Sequence, residues 1–112
     1  MHPAKPIEFL GDSLDVLRRF PEVARRRAGY QPDRVQRGFE PDDWKPMSTI
    51  GAAVREIRIR EESGAFRVVY VTQIAGTIYV LHCFQKKTQR TSARDIEIAT
   101  RRYKELQKEH RS

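Results

Sequence analysis

The sequence predicts an α+β fold, in which helices pack against an antiparallel β-sheet. Two observations lead to this prediction. Residues 54–88 contain three consecutive stretches in which apolar and polar side chains alternate, and short turn sequences separate them. Apolar residues at helical spacing occur before these stretches, in residues 13–38, and after them, in residues 92–106. The order therefore indicates N-terminal helices, three strands and a C-terminal helix.

Length and charge bound the possible functions. The chain has 112 residues, so we expect a single domain over residues 1–112. Hydrophobic residues make up 38% of the chain, charged residues make up 33%, and the net charge is +7. The chain can therefore form a core and still carry an excess of surface cations. Such a surface favours a nucleic acid, an acidic protein or an anionic membrane surface as partner.

Cysteine usage and the N-terminal sequence favour a cytoplasmic location. Cys83 is the only cysteine, so no intramolecular disulfide is expected. Residues 1–14 lack the apolar core of a signal peptide, and apolar runs such as Ile78–Leu81 are too short to cross a bilayer. His2, His82 and His110 do not combine with Cys83 at the spacing of zinc ligands. We therefore expect no metal and no other cofactor.

The first elements are predicted to be an extended segment and a brief helix. Residues 3–10 form a short extended lead-in. Residues 13–20 follow as a helix, with Asp12 or Ser13 as the N-cap. The inward-facing residues of this helix are Leu14, Leu17 and Phe20.

A second helix is predicted to begin at Pro21, a residue that suits the first turn. Pro32 lies inside the helical pattern, where it removes one backbone donor and crowds the carbonyl of Ala28. We therefore expect a kink or a break at Pro32 and an end at Gly38. The apolar spacing places four residues inside: Ala24, Ala28, Gln31 and Val35.

The remaining non-strand segments are a loop and a last helix. Residues 39–51 are rich in Pro, Asp and Gly and predict a loop, which Trp44 and Met47 tie to the core. Ser92 and Asp95 resemble a capping box at the start of the last helix. The apolar stripe of that helix consists of Ile96, Ala99, Tyr103 and Leu106.

The register of the two hairpins follows from the side chains. When Arg60 lies opposite Ala65, the apolar residues of the first two strands share one face. A two-residue Ala75-Gly76 turn then sets the second hairpin. The predicted cross-strand pairs are Ile57–Val68, Ile59–Phe66, Arg58–Arg67, Arg67–Phe84 and Val69–His82.

This register sorts the strand residues onto two faces. The apolar face, which the helices should cover, holds Ile57, Ile59, Phe66, Val68, Tyr70, Leu81 and Cys83. The other face holds Arg58, Arg60, Arg67, His82 and Phe84, with Lys86 just beyond. Arg58 and Arg67 repel each other unless an anion or a carboxylate lies between them, and Glu56 can be that carboxylate. A basic sheet face indicates a polyanion as ligand, and RNA is the best candidate.

The strands and the last helix also resemble a known family. The segments EIRIREESGAFRVVYVT and IYVLHCFQKKTQRTSARDIEIATRRY contain an E-(I/L)-R strand, an (F/Y)-R-V-x-Y strand and a strand ending in F-x-K-K-T before a helix. This ordered set is similar to the RelE/ParE toxin superfamily, and more narrowly to the phage-derived HigB-like branch of type II toxin–antitoxin systems. The resemblance implies a RelE-like fold, with N-terminal helices and a C-terminal helix on a strongly curved, mainly antiparallel sheet.

The resemblance also implies an activity, which is ribosome-dependent cleavage of mRNA suppressed by an antitoxin. In this branch the antitoxin is typically a helix-turn-helix, HigA-like protein. The RNA 2′-hydroxyl attacks the adjacent phosphate without a metal, so the protein supplies orientation, charge stabilisation and proton transfer. Two alternatives stay open: a ParE-like toxin that poisons DNA gyrase, and a non-enzymatic regulatory partner of an antitoxin.

Roles for single residues follow from the resemblance. Arg67 in F-R-V-V-Y is the first candidate to hold the scissile phosphate, and Arg58 and Lys87 are the next catalytic candidates. RelE-like enzymes carry a lysine near Glu56 and a tyrosine after the third strand, and this sequence shows neither at those positions. The general acid and base are therefore not assigned, and His82, Glu56, an arginine or a lysine stay open as candidates for these roles. RNA binding is expected from Arg60, His82, Lys86 and Phe84, the last by stacking on a base.

Overall fold

The computed structural model describes residues 4–110 and contains three helices and a five-stranded mixed sheet. The elements are β1 (Ile7–Phe9), α1 (Ser13–Arg18), α2 (Glu22–Gln36), β2 (Trp44–Pro46), β3 (Val54–Glu61), β4 (Gly64–Ile74), β5 (Thr77–Lys86) and α3 (Ala93–Glu109). The strand order is β1-β5-β4-β3-β2, with β1 parallel to β5 and the other pairings antiparallel. The predicted α+β class with a mainly antiparallel sheet is confirmed.

Two sequence expectations concern the chain ends and the membrane. His2 and Pro3, the first residue of the predicted lead-in, lie outside the described residues. The rest of the lead-in includes β1, which pairs with β5. Within residues 4–110, no helix is both long enough and apolar enough to cross a membrane.

The predicted hairpin registers are confirmed, with one local correction. A β-bulge in β5 leaves Leu81 without a paired residue on β4. Val69 pairs with His82, and Tyr70 pairs with Val80 and not with Leu81. Leu81 therefore packs on the opposite face from the one predicted. A second irregularity nearer the turn restores the register, which is why the remaining predictions hold. The confirmed pairs are Ile57–Val68, Ile59–Phe66, Arg58–Arg67, Arg67–Phe84 and Val69–His82.

Helices α1 and α2 cover the first face of the sheet. Their buried residues meet the predicted apolar strand residues in one core cluster, which includes Leu17, Phe20, Ala24, Ala28, Val35, Ile57, Ile59, Phe66, Val68, Tyr70 and Cys83. Burial raises the pKa of Cys83 to about 12, which agrees with its predicted place on the apolar face of the sheet. The inward positions of both helices are confirmed, except that Leu14 is only half-buried.

Pro32 does not break α2, which runs without interruption from Glu22 to Gln36. The expected break is wrong because Pro32 lies on the buried side of the helix, and tertiary burial of that side outweighs the missing hydrogen bond. The predicted end at Gly38 is confirmed. Gly38 has a φ of 89° and donates to the Val35 carbonyl at 3.0 Å, while Phe39 N donates to the Arg34 carbonyl at 2.9 Å.

The predicted cap of α1 is absent. Asp12 occupies the N-cap position, but its side chain makes no capping hydrogen bond and accepts one from Arg102 Nη2 at 2.8 Å. Ser13 Oγ donates to the Val80 carbonyl at 3.4 Å. Both candidate side chains therefore bind other parts of the chain, and α1 is held by these contacts and by Leu17 rather than by a cap.

The predicted loop at residues 39–51 contains β2, a strand that the sequence analysis missed. Its Lys45 lies opposite Glu56 on β3. Met47 is buried, as predicted, and Trp44 is half-buried with the Arg55 guanidinium 4.0 Å from its ring centroid. A three-residue strand that ends at a proline carries too little alternation to be distinguished from a loop.

Helix α3 packs on the second face of the sheet, which corrects the expectation that the helices cover the apolar face alone. Its cap is confirmed, because Ser92 Oγ accepts from Asp95 N at 3.1 Å. The stripe of α3 joins a second core cluster with strand residues of that face. This cluster includes Val54, Val69, Val71, Tyr79, Leu81, Phe84, Ala99 and Leu106, with Ile96 and Tyr103 packed at its margin.

Candidate functional site

A buried carboxylate on β3 lies at the centre of the candidate site. Glu56 has no exposed surface. Its Oε1 lies 3.3 Å from Arg67 Nε on β4 and 3.8 Å from Lys45 Nζ on β2. Its Oε2 accepts a hydrogen bond from Thr91 Oγ1 at 3.3 Å. Glu56 thus links two neighbouring strands and the segment before α3, and it is the carboxylate expected beside the arginines.

Arg67 is held rigidly beside Glu56. Only 1% of it is exposed, yet it lines a cleft at the end of the sheet. Its Nη1 donates to the Phe66 carbonyl at 3.0 Å while its Nε faces Glu56. Burial lowers the pKa of Arg67, the Glu56 carboxylate opposes this shift, and Arg58 adds to it. The guanidinium therefore sits among other cations with a fixed orientation.

The cleft has a volume of about 370 Å³ and opens where β3, β4 and β5 approach their ends. Exposed Arg60 and half-buried Lys86 lie in its wall together with Arg67. The pKa of Lys86 is lowered, first by burial and then by the charges of Arg67 and Lys45. Cations gathered in this way repel one another, and an anion bound among them would relieve this repulsion. The full lining is Arg60, Ala65, Arg67, Lys86, Thr88 and Gln89.

Arg58 lies opposite Arg67 in the sheet but does not line the same cleft. It lines a second pocket, of about 500 Å³, next to α2. Its Nε is buried and has no hydrogen-bond partner within the described part of the chain. Arg60 lines both cavities, so it joins the surroundings of Arg58 to those of Arg67.

Besides Arg58, three more of the predicted site residues lie outside the cleft. Lys87 is exposed one residue beyond the end of β5, whereas Lys86 lines the cleft. His82 is 6% exposed, and its Nε2 lies 2.7 Å from Asp95 Oδ1 on α3. Its ring stacks on Phe84 with centroids 5.2 Å apart. Phe84 packs in the core under α3 and does not line the cleft, so its ring lies away from the place where an RNA base would stack.

Lys45 is the site residue that sequence reasoning missed. It supplies from β2 a lysine beside Glu56, although the sequence around Glu56 shows none. Lys45 lies beside Glu56 because β2 pairs with β3. Residues 39–51, which contain β2, were predicted to be a loop from their composition. The sequence W-K-P-M at residues 44–47 does not alternate clearly between apolar and polar side chains, so it gave no local signal for this pairing.

Comparisons with known proteins identify the family. The family model described as "Phage derived protein Gp49-like (DUF891)" matches residues 15–104, which include Lys45, Glu56 and the whole lining of the cleft. No curated protein matches the chain significantly. Because the family model covers most of the sequence, the chain belongs to the Gp49-like family of phage-derived proteins, a family associated with RelE-like toxins of toxin–antitoxin systems.

Proposed function

We propose that this protein is a HigB-like toxin that cleaves mRNA at the ribosome. The observation that carries the proposal is the cleft in which Arg60, Arg67 and Lys86 meet, with Arg67 held against the buried Glu56. The association of the family with RelE-like toxins supports it. The net charge of +7 is suited to contact with ribosomal RNA and with an antitoxin that neutralises it.

The proposed reaction needs no redox step and no cofactor. The RNA 2′-hydroxyl oxygen attacks the adjacent phosphorus, and the bond from phosphorus to the 5′-oxygen of the next nucleotide breaks. The products are a 2′,3′-cyclic phosphate and a 5′-hydroxyl. Arg67 binds a non-bridging phosphate oxygen from the side of its guanidinium that lines the cleft, since its Nε faces Glu56 and its Nη1 already donates to the Phe66 carbonyl. Because Glu56 and the Phe66 carbonyl already orient this group, little reorganisation is needed as charge develops.

Proton transfer is assigned to Lys86. The leaving 5′-oxygen requires a proton, while the proton of the attacking hydroxyl passes to water. The lowered pKa of Lys86 makes its ammonium group a stronger acid than an ordinary lysine, which suits it to protonate the leaving oxygen. Arg58 and Arg60 then contribute substrate affinity. Lys87 receives no part in the chemistry, because it lies outside the cleft.

The proposed partners are an antitoxin of the helix-turn-helix, HigA-like kind, the ribosome and mRNA. Inhibition of translation by this route takes place in the cytoplasm. The open end of the sheet is where an antitoxin could compete with RNA, because the cations of the cleft are concentrated there.

The test is inducible expression of the wild type and two variants, followed by mapping of mRNA 5′ ends shortly after induction. Arg67→Ala removes the phosphate ligand, and Lys86→Gln removes the proton donor while leaving the buried Glu56–Arg67 pair intact. We expect new 5′ ends within translated regions for the wild type and their loss in both variants. Lys87→Gln is the matched control and should cleave like the wild type.

Other outcomes would reassign the function. Growth arrest with intact mRNA and broken DNA would indicate a ParE-like gyrase poison. Absence of arrest by folded wild-type protein would indicate a regulatory partner of an antitoxin. Circular dichroism of the purified variants shows whether a loss of cleavage results from unfolding.

A further inference from the structure

A second pocket adjoins the cleft and is not used by the proposed chemistry. It has a volume of about 500 Å³ and is formed by α2, the segment before β2 and the end of β3. Its lining includes Arg27, Tyr30, Asp42, Asp43, Arg58 and Arg60. Arg60 also lines the cleft that contains Arg67, so the two cavities share a cationic wall.

The pocket exists because β2 is shorter than β3. β2 pairs only with residues 55–57 of β3. Arg58 N then donates to the Asp43 carbonyl at 2.9 Å, and beyond this point β3 has no strand neighbour on that side. Arg27 on α2 donates from Nη1 to the Arg60 carbonyl at 2.8 Å. These contacts fix the walls of the opening at the end of β3.

The chemical groups of the pocket are complementary to a nucleotide. Tyr30 is 53% exposed and presents an aromatic ring on which a base can stack. Arg58 lines the pocket, and its Nε has no hydrogen-bond partner among residues 4–110, so its guanidinium retains donor capacity for an anionic ligand. Asp43, whose backbone carbonyl already binds Arg58, adds a carboxylate that can accept from the N–H edge of a base.

We propose that this pocket binds a nucleotide that flanks the scissile phosphate, with its base stacked on Tyr30 and its phosphate near Arg58 and Arg60. The inference rests on the proposed function, because the flanking nucleotide belongs to the same RNA that enters the cleft. An acidic protein segment is the competing ligand. RNA is favoured because Arg60 connects the pocket directly to the cleft and because an exposed aromatic ring among guanidinium groups is typical of single-stranded nucleic-acid sites.

The test measures binding of a short 2′-O-methyl oligoribonucleotide, which cannot be cleaved, by fluorescence anisotropy. Tyr30→Ala should weaken binding about fivefold or more, because it removes a stacking platform. Tyr30→Phe keeps the ring and should bind like the wild type. Phe39→Ala is the matched control, since Phe39 is 59% exposed but does not line the pocket, and it should leave the affinity unchanged.

A second oligonucleotide, with abasic flanking nucleotides, tests whether Tyr30 contacts a base. When the flanking nucleotides are abasic, wild type and Tyr30→Ala should bind equally, because neither complex contains the stacked base. Equal binding of wild type and Tyr30→Ala to the intact oligonucleotide, together with weaker binding by Lys86→Gln, would overturn the flanking pocket and leave the proposed function standing. Unchanged binding in both variants would contradict both proposals. A loss of antitoxin binding in Tyr30→Ala, with RNA binding unchanged, would overturn the RNA pocket in favour of a protein-docking site.

Discussion

The second face of the sheet has two halves of opposite character, although the same three strands form both. The covered half lies under α3 and holds Val54, Val69, Val71, Tyr79 and Leu81. The open half lies beyond α3 and holds Arg58, Arg60, Arg67 and Lys86. Glu56 lies at the boundary between them, buried against Arg67. The position of α3, rather than the strand pattern, therefore decides which part of this face is core and which part can meet a ligand.

The two halves differ in how they contribute to stability. Apolar side chains of the covered half stabilise the fold by leaving water, at about 25 cal/mol for each Å² buried. The open half gathers cations that repel one another, and the buried Glu56–Arg67 ion pair at its boundary carries a desolvation cost that apolar residues would avoid. This difference favours a ligand-binding role for the open half.

The largest expected effect comes from breaking the ion pair at the boundary. Among the described residues, Arg67→Met leaves the more distant Lys45 as the one remaining salt-bridge partner of the buried Glu56 carboxylate. The free energy of unfolding, measured by urea titration, should fall by about 3–5 kcal/mol. The double variant Glu56→Gln with Arg67→Met should recover most of this loss, because it contains no uncompensated charge. A double variant as unstable as the single one would show that lost packing, not charge, causes the effect.

The next effect tests the covered half. Leu81 is fully buried, so Leu81→Ala should lower the free energy of unfolding by about 2–5 kcal/mol. The folded protein should keep its affinity for RNA, because Leu81 lies under α3 and away from the cleft. Leu14→Ala on α1 is the control and should cost less, since Leu14 is half-buried. Weaker RNA binding by folded Leu81→Ala would mean that the two halves are coupled.

Substitution of Lys86, in the open half, is expected to have the smallest effect on stability and a large effect on RNA binding. The pKa of Lys86 is lowered in the folded protein, so the unfolded chain binds more protons between that pKa and the ordinary value of 10.5. Stability should therefore rise with pH through this window, and below it the charged Lys86 is slightly destabilising. Lys86→Met should slightly raise the free energy of unfolding at neutral pH while weakening RNA binding.

The pH dependence of binding provides the control for Lys86. Wild-type affinity for RNA should decline as the pH rises through the lowered pKa of Lys86, whereas Lys86→Arg should keep its affinity at the same pH. Lys87→Met should change neither stability nor binding, because Lys87 is exposed and lies outside the cleft. Equal effects at positions 86 and 87 would remove the distinction between the two lysines.

Much of the fold could be predicted from the sequence because the signals are local. The pairing of Arg58 with Arg67 followed from alternation on adjacent strands joined by short turns, and a slip of one residue would have mixed apolar and basic side chains. The Ser92 cap and the apolar stripe of α3 were likewise readable from a few neighbouring residues. The proximity of Glu56 to Arg67 followed from the same register.

The tertiary structure alone decided where the cations meet and what covers them. Lys45 reaches Glu56 only because β2 pairs with β3, and Leu81 changes face because of a bulge that alternation cannot reveal. The end of β5 determines that Lys86 lines the cleft and Lys87 does not. The position of α3 determines the burial of His82 and Phe84. Alternation with a period of two determines which residues share a face of the sheet. It carries no information about which distant segment packs on that face, and this is what separates core from candidate site in this protein.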